Sequence, residues 1–216
     1  MVKILFIGAS QGIGRAVSQL GLRRGHMIRG MSRTGSLPDD ANDNAEAFKG
    51  DALRAADLSR ALDGVDVVVQ ALGVPPSLDL LLKPVTLFSE ATRVLLPEMK
   101  AAGVKQLVSV TGFGAGDSNA SINMLQRLPF DMLLKRAYDD KTVQEQLIEE
   151  SDPDWLIVRP GVLTNGPATG EYRVLSEPAE WRNSIISRAD VADFIVGSIE
   201  AGDPKRKKPV IIRYPL

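Results

Sequence analysis

The chain has no cysteine and one histidine, His26, among its 216 residues. The first absence removes disulfides, thiolate nucleophiles and cysteine-based metal sites together, and the second excludes a histidine-cluster zinc site. No window approaches the roughly 20 apolar residues of a membrane span. Met1-Val2-Lys3 leads into an apolar run that Gly8 ends, too short for a signal-peptide core and without a small-residue cleavage site. The expected location is therefore the cytoplasm. A surplus of charge is missing as well: 26 Lys and Arg against 27 Asp and Glu leave a formal charge of -1, with a pI near 5.9. This excludes the basic surface of a general nucleic-acid or anionic-membrane binder. The one basic run, Lys205-Arg206-Lys207-Lys208, lies between Gly202-Asp203-Pro204 and Pro209. It reads as a solvated loop before a last strand. No repeat, low-complexity stretch or long linker divides the chain, so residues 1–216 are expected to form a single domain.

What is present is an alternation. Short apolar, β-branched runs at Lys3–Ile7, Met27–Ser32, Ala45–Lys49, Val65–Ala71, Gln106–Thr111, Trp155–Arg159 and Val210–Arg213 read as strands. Between them, Gly12–Arg24, Ala55–Leu62, Lys83–Ala102, Leu128–Glu150 and Asp190–Ala201 read as helices. Near-continuous apolar strands alternating with helices imply a parallel sheet covered on both faces, the doubly wound, Rossmann-like α/β fold. Gly103 and the pattern Ser187-x-x-Asp190 mark a helix end and a helix start. The least regular segments, Gly73–Asp79, Gly112–Arg127 and Gly161–Arg182, all follow strands. They should gather as substrate loops at the carboxyl edge of the sheet, where open α/β folds bind ligands.

Between the first strand and the first helix stands Gly8-Ala9-Ser10-Gln11-Gly12-Ile13-Gly14. A pyrophosphate on such a helix N-terminus meets unpaired backbone N–H groups and the positive end of the helix dipole, provided no side chain blocks it. Gly8 would allow the tight turn, Gly12 the approach of the phosphates, and Gly14 close packing of helix on strand. Gly8, Ser10, Gln11, Gly12, Ile13 and Gly14 are thus the expected cradle. Dinucleotide folds that prefer NAD place a carboxylate about twenty residues further on, at the end of the second strand. Here that place holds Ser32-Arg33-Thr34. Arg33 can pair with a 2′-phosphate, with Ser32 and Thr34 as hydrogen-bond donors, so the expected cofactor is NADP(H). The alternative is an Arg33 that merely covers the sheet edge. Asp51 and Ala52, after the third strand, occupy the adenine position, and Ala71-Leu72-Gly73 would let the backbone run beside the cofactor.

These segments resemble the atypical short-chain dehydrogenase/reductase group with NmrA-like NAD(P)-binding folds, and within it the biliverdin-IXβ reductase/flavin reductase family. The matching stretches are the glycine turn, Gly50–Asp57, Gly64–Val69 through Leu72-Gly73, Asp139-Asp140-Lys141, Val158-Arg159-Pro160 and Thr169–Tyr172. The resemblance implies Gly50-Asp51-Ala52 at the adenine and Ala71–Gly73 at the adjoining ribose. It also implies Thr111 and Lys141 near the nicotinamide ribose, and Pro160 beside the carboxamide. Departures accompany it. Better-known members use Tyr-x-x-x-Lys with a serine after the fifth strand. Here Tyr138 is followed by Lys141, one residue short, Gly112 stands at the serine position, and Val162 replaces a histidine that follows the proline segment.

At 100° per residue, Leu134, Ala137, Tyr138, Lys141, Glu145 and Ile148 share one helical face, which should pack on the sheet. Lys141 either binds the cofactor ribose or pairs with Glu145 four residues on. Tyr138 is either packing or a proton donor. Thr111, Lys141 and Tyr138 are the catalytic candidates, and no metal ligands are expected. Met124, Phe130, Met132, Tyr172 and Trp181 either line a pocket for a flat substrate or lie buried under loops, with Phe113 the best stacking candidate. Two functions remain open: an NADPH-dependent reductase acting on a small flavin- or quinone-type acceptor, or an NADP(H)-binding sensor or chaperone without chemistry.

Overall fold

The computed structural model describes residues 1–36, 42–74, 84–122, 134–203 and 205–213. Ten strands are described: β1 (Lys3–Ile7), β2 (Met27–Ser32), β3 (Ala45–Lys49), β4 (Val67–Gln70), β5 (Gln106–Val110), β6 (Asp154–Pro160), β7 (Val162–Thr164), β8 (Arg173–Leu175), β9 (Ile185–Ser187) and β10 (Val210–Ile212). Five α-helices accompany them: α1 (Gly12–Arg23), α2 (Ala55–Ala61), α3 (Leu87–Ala102), α4 (Lys135–Glu149) and α5 (Arg188–Glu200). An eight-stranded sheet runs in the order β3-β2-β1-β4-β5-β6-β10-β8, and a two-stranded sheet pairs β7 with β9. Only β8 is antiparallel to its neighbour.

The period-2 alternation of the strands divides the core. Ile4, Phe6, Val67, Val69, Val108, Val110, Leu156 and Val158 point to the face covered by Val17 and Leu22 of α1 and Val191, Ile195 and Ile199 of α5. Their neighbours Leu5, Ile7, Val68, Leu107, Trp155 and Ile157 point to the other face, under Leu58 of α2, Leu95 and Met99 of α3 and Ile148 of α4. The sheet is therefore doubly wound, with a topological switch point between β1 and β4. A crevice opens there, outside the carboxyl ends of the strands. Gly103 ends α3 with a left-handed φ of 74°, and the Ser187 hydroxyl accepts a 2.9 Å bond from the Asp190 N–H to start α5.

The segment expected to be irregular, Gly161–Arg182, contains β7 and β8. Strands of three residues show no periodicity to read. The buried face of α4 also differs from the expected one: it is Ala137, Asp140, Gln144, Glu145 and Ile148, while Leu134 lies ahead of the helix and is 39% exposed. The stripe is polar because each polar member has a partner. Asp140 accepts the Phe88 N–H at 2.8 Å at the N-terminus of α3, and Gln144 donates to Gln70 at 2.9 Å and Ser109 at 3.2 Å. No helix among the described residues is long and apolar enough to cross a membrane.

Candidate active site

The glycine turn leaves β1 for α1 at the switch point. Gly8 has φ +92°, and a methyl group there would meet the Ala71 carbonyl oxygen at 2.6 Å; one at Gly14 would overlap the Gly8 carbonyl oxygen. Both positions therefore demand glycine for close packing of backbone on backbone. At Gly12, with φ +58°, an added methyl would meet only Arg188 Nε, at 4.0 Å. The Gln11 side chain does not cap α1, and no acidic residue lies in its first turn. Its free N–H groups and dipole are left facing the crevice, an arrangement that fits the pyrophosphate of a dinucleotide. Ser10 and Ile13 complete the turn, half-buried.

The turn after β2 is tied by its own hydroxyls. Ser32 Oγ accepts from the Gly35 and Ser36 N–H groups at 3.0 and 3.2 Å, and Thr34 Oγ1 lies 2.8 Å from Ser36 Oγ. Ser32 and Thr34 thus shape the turn, while Arg33 stays exposed. Arg33 lines an open cavity of about 300 Å³ together with Lys49, Gly50, Asp51, Arg54 and Asp57. Asp51 accepts the Leu53 N–H at 3.0 Å and its own N–H donates to Asp57 at 3.0 Å. That N–H and Arg60 hold the Asp57 carboxyl below its ordinary pKa. Ala52 follows, half-buried against the apolar cluster that contains Met31 and Leu58. Across the switch point, Ala71 donates to the Ile7 carbonyl at 2.9 Å, Leu72 is half-buried and Gly73 exposed. A methyl at Gly73 would touch nothing within 4 Å.

Beyond β5 the character changes. Thr111 Oγ1 donates to Glu145 at 2.6 Å, and the Thr111 carbonyl accepts from Lys141 Nζ. Lys141 is held between two rings, 5.0 Å from the centroid of Phe88 and 5.3 Å from that of Tyr138. Burial pushes its pKa down to about 8 against the opposing pull of Glu145. The open choice over Lys141 is thereby narrowed, because Glu145 pairs with Arg159 instead, at 3.1 Å through Nε and 2.5 Å through Nη2. The Tyr138 hydroxyl would lie 2.5 Å from a methyl built on Gly112. It fills the space a serine side chain would need. Burial, with the Glu145 charge beside it, pushes its pKa up to about 12. Pro160 is buried at the end of β6, where its carbonyl accepts the Phe113 N–H at 2.9 Å.

Sequence reasoning missed Arg159 as a polar centre. Fully buried, it also meets Asp117 at 2.6 Å, and its guanidinium lies 4.9 Å from the Trp181 ring centroid. Burial alone would lower its pKa, but the Glu145 and Asp117 carboxylates outweigh that and hold it above its ordinary value. Lys208 extends the network to Asp117 at 2.9 Å and Glu149 at 2.8 Å. The basic run is thus a structural staple at that end, not merely a solvated loop. Phe113 is 5% exposed in an apolar cluster with Ile122, Leu175 and Trp181, a packed position that replaces the expected stacking role. Tyr172 donates to Asp193 at 3.0 Å on the α5 side, and His26 lies 3.0 Å from Glu200. Met124, Phe130 and Met132 fall outside the described residues. Among the described residues no cluster of His, Asp and Glu could hold a metal ion.

This geometry has counterparts. An uncharacterized sugar epimerase, YhfK, of Bacillus subtilis (strain 168) is 26% identical over 206 residues, covering 92% of this chain and 88% of its own. ChuY of Escherichia coli O157:H7, an anaerobillin reductase, superposes with a TM-score of 0.80 at 23% identity, over 99% of this chain and 98% of its own. A short-chain dehydrogenase/reductase of Veillonella parvula DSM 2008, solved in complex with NADP, gives 0.81 at 17% identity, over 98% and 94%. At such identities the solved structures show a shared fold. A family model described as NAD(P)H-binding matches residues 8–201, from the first glycine of the turn to the end of α5. The chain belongs to this NAD(P)H-binding family and carries a Rossmann-like α/β fold.

Proposed function

We propose that the protein is an NADPH-dependent reductase that transfers hydride to a flat conjugated acceptor of the flavin or quinone type. The observation that carries this reading is the pairing of Gly112 with Tyr138. A carbonyl reductase needs a positioned hydroxyl pair to protonate its alkoxide. Here one hydroxyl is replaced by hydrogen and the other occupies the resulting gap, pushed up to about 12. A conjugated acceptor delocalises the incoming charge and takes its proton from solvent, so the loss matters less.

The glycine turn would hold the pyrophosphate, Arg33 with Lys49 and Arg54 the 2′-phosphate, and Ala71–Gly73 the adjoining ribose. When bound, the nicotinamide supplies the hydride. Lys141 then acts from the end of β5. Its Nζ is anchored on the Thr111 carbonyl, where a cation stabilises negative charge developing on a reduced acceptor. With a pKa near 8, the same Nζ can also release a proton at neutral pH. ChuY, a reductase of the same fold, is in keeping with this class of reaction.

A second reading, a nucleotide sensor without turnover, is favoured by the commitment of the Thr111 hydroxyl to Glu145 rather than to a ligand. The two are separated by titrating the protein with NADPH and NADH and then following NADPH oxidation with FMN, a quinone and biliverdin in parallel. Turnover of FMN or quinone supports the reductase. Tight NADPH binding with no turnover of any acceptor selects the sensor, and binding of neither nucleotide overturns both.

A further inference from the structure

We propose that Arg188, the first residue of α5, is a pyrophosphate-binding residue that acts across the glycine turn, oriented by Asn165. The proposal rests on the family's dinucleotide occupying the turn. Three observations meet at this place. The Arg188 guanidinium lies over Gly12, its Nε 4.0 Å from where a side chain at that glycine would begin. Its Nη1 donates to Asn165 Oδ1 at 2.6 Å, which fixes the plane of the fork and leaves the other nitrogens free to donate. Among the described residues it has no carboxylate partner.

Such a position is electrostatically wrong for the free protein. A cation disfavours the positive end of a helix dipole, and Arg188 stands at two such ends, its own and that of α1. The α1 end supplies no compensation. The first turn of α1 contains no acid. Asp190, the acid in the first turn of α5, turns away to accept from the Thr169 and Gly170 N–H groups at 2.7 and 3.0 Å and from Ser187 at 2.8 Å. Among the described residues no carboxylate pairs with this guanidinium, and a doubly charged pyrophosphate would satisfy both it and the N-terminus of α1.

The small β7–β9 sheet explains how the pair arises. In its parallel register Thr164 lies opposite Ser187, so the next residue of each strand, Asn165 and Arg188, leaves the sheet side by side. Two stretches 23 residues apart are thereby delivered together to the rim of the crevice. The polar pair belongs to a different part of the chain from the glycine turn and meets it at Gly12.

The test uses the full chain and measures dissociation constants for NADPH and NADH in Arg188→Met, Arg188→Lys and Arg33→Ala, with thermal unfolding of each without nucleotide. Arg188→Met is expected to weaken both nucleotides by the same factor, roughly ten- to a hundredfold, because the pyrophosphate is common to both. Arg188→Lys should recover part of that loss. Arg33→Ala should instead lower the NADPH-to-NADH preference. Without nucleotide, Arg188→Met should unfold at the wild-type temperature or above it, since an unfavourable charge has been removed. Unchanged affinities in Arg188→Met, with wild-type binding intact, would overturn the proposal and leave the family's cofactor in place. Lower thermal stability of the free Arg188→Met protein, with affinity restored by neither variant nor conditions, would make Arg188 a structural residue and also overturn it. Failure of the wild type to bind either nucleotide would refute the cofactor reading itself.

Discussion

At the glycine turn the helix N-terminus and Arg33 face outward, whereas beyond β5 the polar groups face inward and are paired with one another. The α1 N-terminus and Arg33 present N–H groups and charge to an open crevice. Thr111, Glu145, Arg159, Asp117 and Lys208 form a continuous chain of bonds that joins β5, β6 and α4 to the loops around them. The first region is built for a charged ligand that arrives from outside. The second is a rigid support under Lys141, whose Nζ donates to the Thr111 carbonyl. A reductase needs both: a place where binding energy is gained, and a place where a cation keeps its position while charge develops nearby.

The sharpest way to break this contrast is to remove one half of the buried pair. Glu145→Leu leaves the Arg159 guanidinium, at 0% exposure, with the partly exposed Asp117 in place of its buried partner and should cost up to about 3–5 kcal/mol in urea or thermal unfolding. Glu145→Leu with Arg159→Met should recover most of that loss, since the under-compensated buried charge is then gone. Equal losses in the single and double variants would show that the network is not a charge pair held by its partners. At the open end, Gly14→Ala drives a methyl into the Gly8 carbonyl. It should cost about 1–3 kcal/mol of stability and abolish tight NADPH binding in a fluorescence titration. Retained affinity would mean that the close approach of α1 to β1 is not what shapes the cradle.

A smaller effect sharpens the same comparison. Arg33→Ala removes a charge-assisted contact from the exposed cavity and should weaken NADPH by roughly tenfold or more while leaving NADH unchanged. An equal effect on both nucleotides would place Arg33 at the sheet edge only. The smallest effect is in the pH profile. Below about pH 8 Lys141 is protonated in both folded and unfolded chains, so its contribution is constant. Between about 8 and the ordinary value of 10.5, the unfolded chain keeps a proton that the folded one has lost, and stability rises with pH. Relative to Lys141→Met, the wild type should gain on the order of 1–2 kcal/mol across that window. Parallel pH profiles for the two proteins would show that burial does not depress this lysine.

The first three strands were legible because each is a short segment bounded by turn residues, continuously apolar after Lys3 in β1 and mixed in β2 and β3. Lys3–Ile7, Met27–Ser32 and Ala45–Lys49 have the same bounds in sequence pattern and structure. The glycine turn was legible for a related reason, since the steric demand at Gly8 and Gly14 concerns backbone atoms a few residues away. Other features left no such trace. β7, β8 and β9 are three residues each, and nothing local announces that Thr164 will pair with Ser187. Periodicity put Glu145 on the helical face that packs on the sheet and left Asp140 and Gln144 off it, yet all three are buried. They are buried because Phe88, Gln70 and Arg159 reach them from other elements.

Read alone, the sequence determined the α/β alternation, the glycine turn between β1 and α1 and the absence of an acid at Arg33, because backbone sterics and periodicity act over a few residues. Only the tertiary structure decided that Glu145 pairs with Arg159 rather than Lys141, that Tyr138 fills the gap at Gly112, and that Arg188 reaches the glycine turn. The physical reason is the same in each case. A buried charge or hydroxyl must find a partner at hydrogen-bond distance, and which partner is within reach depends on how distant segments pack, not on how they are spaced along the chain.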